Sequence, residues 1–506
     1  MQFLEKLDKI RRTRKHFRGL LYDAINQRNG VLESYEVRKK MEREKEEEFE
    51  KLDEKKGIDW FLFCSLIWQA AIFIAYIICF DFHSTLSTTF VDNNSLPDNA
   101  TDYYTTYTGI VWMVFLGFGF LRTYLRYNGY SAVGQTLFVG AYAIEWGILM
   151  LGFFHYADIV KSGTKIFLTV PHLIEGVYCA FAVLISLGTW FGRIQTPYLF
   201  VTVTIEIVFY ALNNYIGIAK LYAVNPGMSI FVHVFGAFFG AAFSMVAEFN
   251  RTKRGAFDAY STYNSEKLSF LGFLFLWVMW PSFNAAMAPS GTQLPAIVNT
   301  VLCQVVTTCS AYLFSHIIYG KFTPTELKLS GMAGGIAIGS VVGAVTPPYV
   351  PVVMGGFTGI LVALFPVFDR VWRFIGLRDT NHSFSLHGLV GLASSFYGMV
   401  ATTAVKQRGI EWGLDTNYVF TGEYEEQGSH QLAALVITLG IAIVSGVASG
   451  ILIRFIPFFK FRLTHFFDSK EWVVPDDYPA YVTRAEPQDP KEAQEYLNKI
   501  DSAPKV

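Results

Sequence analysis

Long apolar runs fill the middle of this 506-residue chain, short polar or basic segments interrupt them, and highly charged stretches flank them. Apolar windows fall near residues 59–81, 108–125, 131–154, 166–191, 198–221, 228–248, 268–288, 296–319, 330–346, 350–368, 386–405 and 432–457. There are about twelve, most close to the ~20 residues that carry a helix across a ~30 Å hydrocarbon core. A segment crossing lipid must satisfy its backbone groups internally, so these windows are helical. The division at Pro347-Pro348 is the least sharp. The pattern predicts an all-α, polytopic membrane protein.

The same pattern marks three regions: a charged N-terminal extension over 1–57, a transmembrane domain over 58–460, and a polar C-terminal tail over 461–506. Within the extension, 37–56 (VRKKMEREKEEEFEKLDEKK) mixes signs at helical spacing and predicts an exposed helix. Before it, Phe3, Leu4, Leu7, Ile10, Phe17, Leu20 and Leu21 recur near helical spacing among basic residues. That reads as a surface or partner-binding helix. An organellar transit peptide is acid-poor, whereas Glu5 and Asp8 stand here, and no apolar run suits a secretory signal. Basic residues cluster at 122–126, Arg193, 251–254, 321–328, 370–378 and 460–462, while loops 82–107 and 406–431 are acidic or polar. With an even number of spans, all the basic loops and both tails share the cytoplasmic side or its topological equivalent. Two N-x-S/T triplets, at Asn93 and Asn99, fit an outward first loop.

Composition adds exclusions. Hydrophobic residues make up 52% of the chain and charged ones 16%, with the charge concentrated in the tails. A net charge of -1 without a basic groove gives no sign of a nucleic-acid partner. The five cysteines, Cys64, Cys79, Cys179, Cys303 and Cys309, all fall in apolar windows, which predicts small core residues rather than a disulfide framework. No nucleotide loop, nucleophile elbow or metal triad appears, so the chain reads as neither an enzyme nor a cofactor or metal protein. Glycine pairs such as Gly236 and Gly240 predict closely packed helices.

Ionisable residues inside lipid are costly, and each is a candidate for function. His233 lies in the sixth window (SIFVHVFGAFFG) and His387 near the start of the eleventh (SFSLHGLVGLASSFYG). Each alone reads first as a hydrogen-bonded packing histidine. As a pair deep in apolar helices they point to a path for a small polar species. Glu145, Glu175 and Glu206 are candidates for interhelical bonds or vestibule charge. Arg122 is expected to snorkel to the cytoplasmic face. His172, His382 and His430, near span ends, are expected to be wet.

Five segments carry a resemblance. GIVWMVFLGFGFLRTYLRYNGYSAVG (109–134), SIFVHVFGAFFG (229–240), FLWVMWPSFNAAM (275–287), MAGGIAIG (332–339) and RDTNHSFSLHG (378–388) are similar to signatures of the Rhesus (Rh) glycoprotein branch of the ammonium transporter superfamily. The WPSFN block and the acid and histidine eight residues apart are the most specific. The resemblance covers about 59–460; the charged N-terminal extension has no counterpart in it.

The resemblance implies an inverted repeat and a homotrimer with one narrow apolar pore per protomer, conducting ammonia that arrives as ammonium, with carbon dioxide as a further proposed substrate. It places His233 and His387 on the twin pore histidines, Phe283 and Tyr178 on the aromatic gate, and Phe118 on a further aromatic near the path. Tyr178 stands where the family usually has phenylalanine. Asp379 falls on the family's acid eight residues before the second histidine; the first-half counterpart is Asn225, which caps but carries no charge. A vestibule acid of some members is Asn214 here. Three readings follow: an ammonia channel, a non-conducting structural subunit of a larger assembly, and an ammonium sensor. The family's usual place is the plasma membrane, with an organellar (mitochondrial inner) membrane as the alternative.

Overall fold

The computed structural model describes residues 60–82, 99–125, 127–156, 161, 165–247, 261–288, 291–345, 347–408, 427–455, 468 and 471–475. The expected helices of the 1–57 extension, the Asn93 triplet and most of the 461–506 tail lie outside them.

Every apolar window holds a helix. These are α1 (Trp60–Cys79), α2 (Tyr103–Tyr124), α3 (Gly129–His155), α4 (Val170–Trp190), α5 (Thr196–Lys220), α6 (Ser229–Ala247), α7 (Tyr263–Ala285), α8 (Gln293–Tyr319), α9 (Pro324–Ile338), α10 (Tyr349–Ala363), α11 (Phe365–Phe374), α12 (Phe384–Thr402) and α13 (Gln427–Arg454). Among the described residues, nine are long and apolar enough to cross a membrane. The two prolines do separate α9 from α10, and α11 continues α10 after a 53° bend. A short parallel ladder, β1 (Phe80–Phe82) with β2 (Ile166–Leu168), ties the end of α1 to the entry of α4. The fourth helix thus begins at Val170, later than its apolar window, where Thr169 and the His172 side chain close a capping box.

Close approach brings the central helices together. A Cβ at Gly236 would stand 2.4 Å from the Ala182 carbonyl oxygen, and one at Gly240 2.8 Å from the Ser186 backbone. Only glycine lets α6 lie so near α4. Two helix starts are capped by acids. Asp468 accepts from Tyr130 N at 2.7 Å and Ser131 N at 2.8 Å, and Glu471 accepts from Thr196 N at 2.9 Å. Negative charge at a helix N-terminus satisfies orphan donors and meets the positive end of the helix dipole. These two residues thereby dock part of the tail on the starts of α3 and α5. Outward faces of α1, α8, α10 and α13 carry exposed Phe73, Leu313, Phe357 and Val444, as lipid contact requires. The chain is an integral membrane protein.

Of the cysteines, Cys179 and Cys303 are core residues as expected, Cys79 is half-buried, and Cys64 and Cys309 face outward. In a bilayer, an apolar window does not distinguish core from lipid face.

Candidate functional site

Three of the site residues sit on wide turns. Met113–Phe118, Ser229–Val234 and Phe384–Leu389 are π-helical. In the second, His233 N donates to Met228 O, five residues back, at 3.2 Å, and Met228 enters the turn at φ +53. Such turns are uncommon and concentrate at functional sites, because they redirect side chains. Here they present Phe118, His233 and His387.

Those side chains meet in one column. The His233 and His387 rings stack with centroids 5.0 Å apart and planes 15° from parallel, and their Nδ1 atoms lie 3.1 Å apart. One ring must donate and the other accept across that contact, so the pair holds opposite tautomers. At the His233 end, Phe283 stands 5.6 Å from His233, and Tyr178 packs edge-on against Phe283 at 4.8 Å. The Tyr178 hydroxyl donates to the Phe283 carbonyl at 2.8 Å and shuts the column there. At the His387 end, Phe118 lies 6.5 Å from His387. All five side chains are buried. Aromatic rings surround the histidine pair, and the Nε2 of His233 has no hydrogen-bond partner.

The two acid-position residues lie off the column, at helix starts. Asp379 accepts from Ser383 N and Phe384 N at 2.7 Å and from Ser385 N at 3.1 Å. Asn225 makes one long bond to Ile230 N at 3.4 Å, and its amide nitrogen is buried without a partner. Asn214 is taken up by His155, whose Nε2 stands 3.1 Å from Oδ1. Glu206 is fully buried and bonded by Ser186 Oγ at 2.7 Å, an interhelical contact about two turns along α4 from Tyr178. Glu175 is half-buried one turn outward of Tyr178.

Sequence reasoning missed two members of the column. Trp280 stacks on His233 at 5.7 Å, and Phe181 bridges Phe283 at 4.5 Å and Phe118 at 5.2 Å. Each stands three residues from a recognised member, Phe283 or Tyr178, on the same helix face, so helical spacing carried the signal.

Two expectations are corrected. Arg122 does not snorkel. It is completely buried, bonded to Thr136 Oγ1 at 3.0 Å and to the Leu184 carbonyl, because α3 and α4 cover the inner end of α2. Nor is His382 wet: its Nδ1 stands 2.7 Å from Asp369 Oδ2, its side chain is 25% exposed, and its backbone is left-handed at φ +51. The bend into α11 brings Asp369 beneath it. Burial pulls the His382 imidazole down, but Asp369, with lesser help from Asp379 and Glu326, lifts it to about 8. A histidine raised above its unfolded value stabilises the fold below about pH 6.5 and loses that contribution as pH climbs through 8. The shift is worth at most ~2 kcal/mol. Melting temperature should therefore fall between pH 6.5 and 8.5 in the wild type and stay flatter in Asp369→Asn; parallel curves would refute the pairing.

Known proteins are similar to this chain in sequence and in fold. A sequence profile of the Ammonium Transporter Family matches residues 70–470. Rhesus-like glycoprotein B of Dictyostelium discoideum is 31% identical over 403 residues, covering 76% of this chain and 66% of that protein. Ammonium transporter Rh type C of Rattus norvegicus is 30% identical over 424 residues, covering 80% and 84%. Among solved structures, Nitrosomonas europaea Rh50, described as a channel of the Rhesus protein family, superposes with TM-score 0.63 at 26% identity, covering 80% of this chain and 99% of that one. The chain belongs to the ammonium transporter family, a family of membrane channels and transporters and not of enzymes.

Proposed function

We propose that this chain is an ammonium channel that takes up ammonium at the Tyr178–Phe283 mouth, releases a proton there, and passes ammonia along His233 and His387. The observation that carries the reading is the stacked, hydrogen-bonded histidine pair inside an otherwise aromatic column. A bare cation entering that column would lose its hydration, which costs several kcal/mol or more even after relaxation. Ammonia avoids that cost. It donates to the imidazole nitrogen left bare and accepts from the one left protonated, since opposite tautomers supply one of each. Outside, the faces of Phe283 and Tyr178 hold a cation by roughly 0.5–2 kcal/mol each. Glu175, one turn from Tyr178, offers a carboxyl group in place of the acids absent at Asn225 and Asn214.

Stopped-flow acidification or alkalinisation of liposomes containing the purified protein and an internal pH dye tests the reading. Faster pH change than in empty liposomes supports it. Equal rates would favour the non-conducting structural reading, to which the closed mouth already lends some weight. The mouth yields a second prediction. Tyr178→Phe removes a hydroxyl–carbonyl bond worth ~1 kcal/mol, so ammonia entry should rise about fivefold if opening limits the rate. A decrease would show that the hydroxyl serves the substrate rather than the closure.

The finer reading of assembly and place is a homotrimer in the plasma membrane, with a protein partner for residues 1–57. Mass measurement in detergent tests the first, and fractionation against the mitochondrial inner membrane tests the second. Carbon dioxide passage is tested in the same liposomes.

A further inference from the structure

Arg122 is a charge that the conduction path above does not use. Its guanidinium is completely buried, and Nε has no hydrogen-bond partner. Nη1 donates to Thr136 Oγ1 at 3.0 Å and Nη2 to the Leu184 carbonyl. Among the described residues no carboxylate stands within ion-pair distance of it. Instead, its Cζ lies 5.3 Å from the Phe118 ring centroid and 5.7 Å from that of Phe191. Phe118 in turn stands 6.5 Å from His387. The guanidinium therefore sits one ring inward of the histidine pair.

The hydrogen bonds alone do not call for a charge, since a neutral amide also donates to a hydroxyl and a carbonyl. Arginine stays protonated even when buried. A charge without a counter-ion inside a membrane helix is among the costliest placements, and two aromatic faces offset only part of that cost. Something the charge does must account for it. A fixed positive charge in a low-dielectric column repels any cation approaching through that column and leaves a neutral molecule alone. Water pores exclude protons and cations by the same device.

We propose that Arg122 is a specificity-determining residue that bars ammonium from the inner half of the column, so that nitrogen crosses as uncharged ammonia. The proposal rests on the conduction reading and deepens it. Arg122 acts through its field and touches neither histidine.

The test uses the full chain in liposomes, with ammonium chloride as the probe, reading ammonia entry from the internal dye and charge movement from solid-supported membrane currents. Wild type should move ammonia with little current, and Arg122→Lys should match it. Arg122→Gln, if the charge is the barrier, should raise the current about tenfold while ammonia entry stays within about threefold. Wild type carrying one charge per ammonia would overturn the proposal and leave the conduction reading standing. So would a folded Arg122→Gln that conducts ammonia without added current. Should Arg122→Gln not fold, the charge-to-ammonia ratios of wild type and Arg122→Lys decide alone. Wild type no faster than empty liposomes would sink the conduction reading, and the proposal with it.

Discussion

His233→Ala and His387→Ala are each expected to slow ammonia entry by about 5- to 30-fold, because each removes a hydrogen-bonding group from a dry stretch where a passing ammonia has no water to replace it. A lost bond of ~1–2 kcal/mol at the barrier corresponds to that range. The two losses should not add. Each ring fixes the tautomer of the other through the 3.1 Å Nδ1 contact, so removing one already disorganises the second, and the double variant should fall within about threefold of the worse single. Stopped-flow rates in matched liposomes measure all three. A single variant as fast as wild type would mean that ammonia crosses without using the imidazoles. Alanine also leaves a void beside Trp280 and Phe118, which water could enter. Asparagine at either position is therefore the informative companion. It keeps a donor and an acceptor in less space, and recovery of half or more of the rate would separate lost hydrogen bonding from altered volume.

The membrane architecture was legible because lipid removes alternatives. A long apolar run has one way to satisfy its backbone, so α1–α8, α12 and α13 fall where hydropathy puts them, α4 alone starting late behind β2, and even the Pro347-Pro348 break separates two helices. The histidines were legible for a related reason: His233 and His387 are ionisable residues in windows where little else is. Helical spacing also held Trp280 and Phe181, one turn from Phe283 and Tyr178, yet nothing in the chain distinguishes a column-facing aromatic from a packing one. Contacts between distant segments were the illegible part. Whether Arg122 reaches water depends on α3 and α4 lying across it. His382 reads as a loop residue until the bend after α10 carries Asp369 back to it. The closure of the mouth joins Tyr178 to a carbonyl 105 positions away.

Asp379→Ala should destabilise the protein by about 3 kcal/mol, the largest single-residue loss of stability expected in this region. Its carboxylate accepts three backbone N–H groups at the start of α12, the helix that carries His387. An N-cap is worth about 0.5–2 kcal/mol, and the further buried N–H groups left without an acceptor raise the cost. Burial lifts the Asp379 carboxyl to about 6, so at pH 7 it remains mostly ionised. Asp379→Asn should therefore cost less, about 1 kcal/mol, since an amide oxygen still caps while the favourable charge on the helix dipole is lost. The first half of the chain already has that arrangement. Asn225, eight residues before His233, caps α6 with one long bond and a stranded amide nitrogen. Asn225→Asp replaces that nitrogen with an acceptor and adds charge where the dipole favours it, so it should gain about 1 kcal/mol. Apparent melting temperatures in detergent at one scan rate rank the four proteins: Asn225→Asp above wild type, then Asp379→Asn, then Asp379→Ala. A drop for Asn225→Asp would mean that its surroundings are built for a neutral cap, and that the two halves differ in electrostatics as well as in sequence. If its stability rises while the half-saturating ammonium concentration stays unchanged, the acid position is a structural cap in both halves, and the attraction of ammonium has to come from the outer mouth at Glu175, Tyr178 and Phe283.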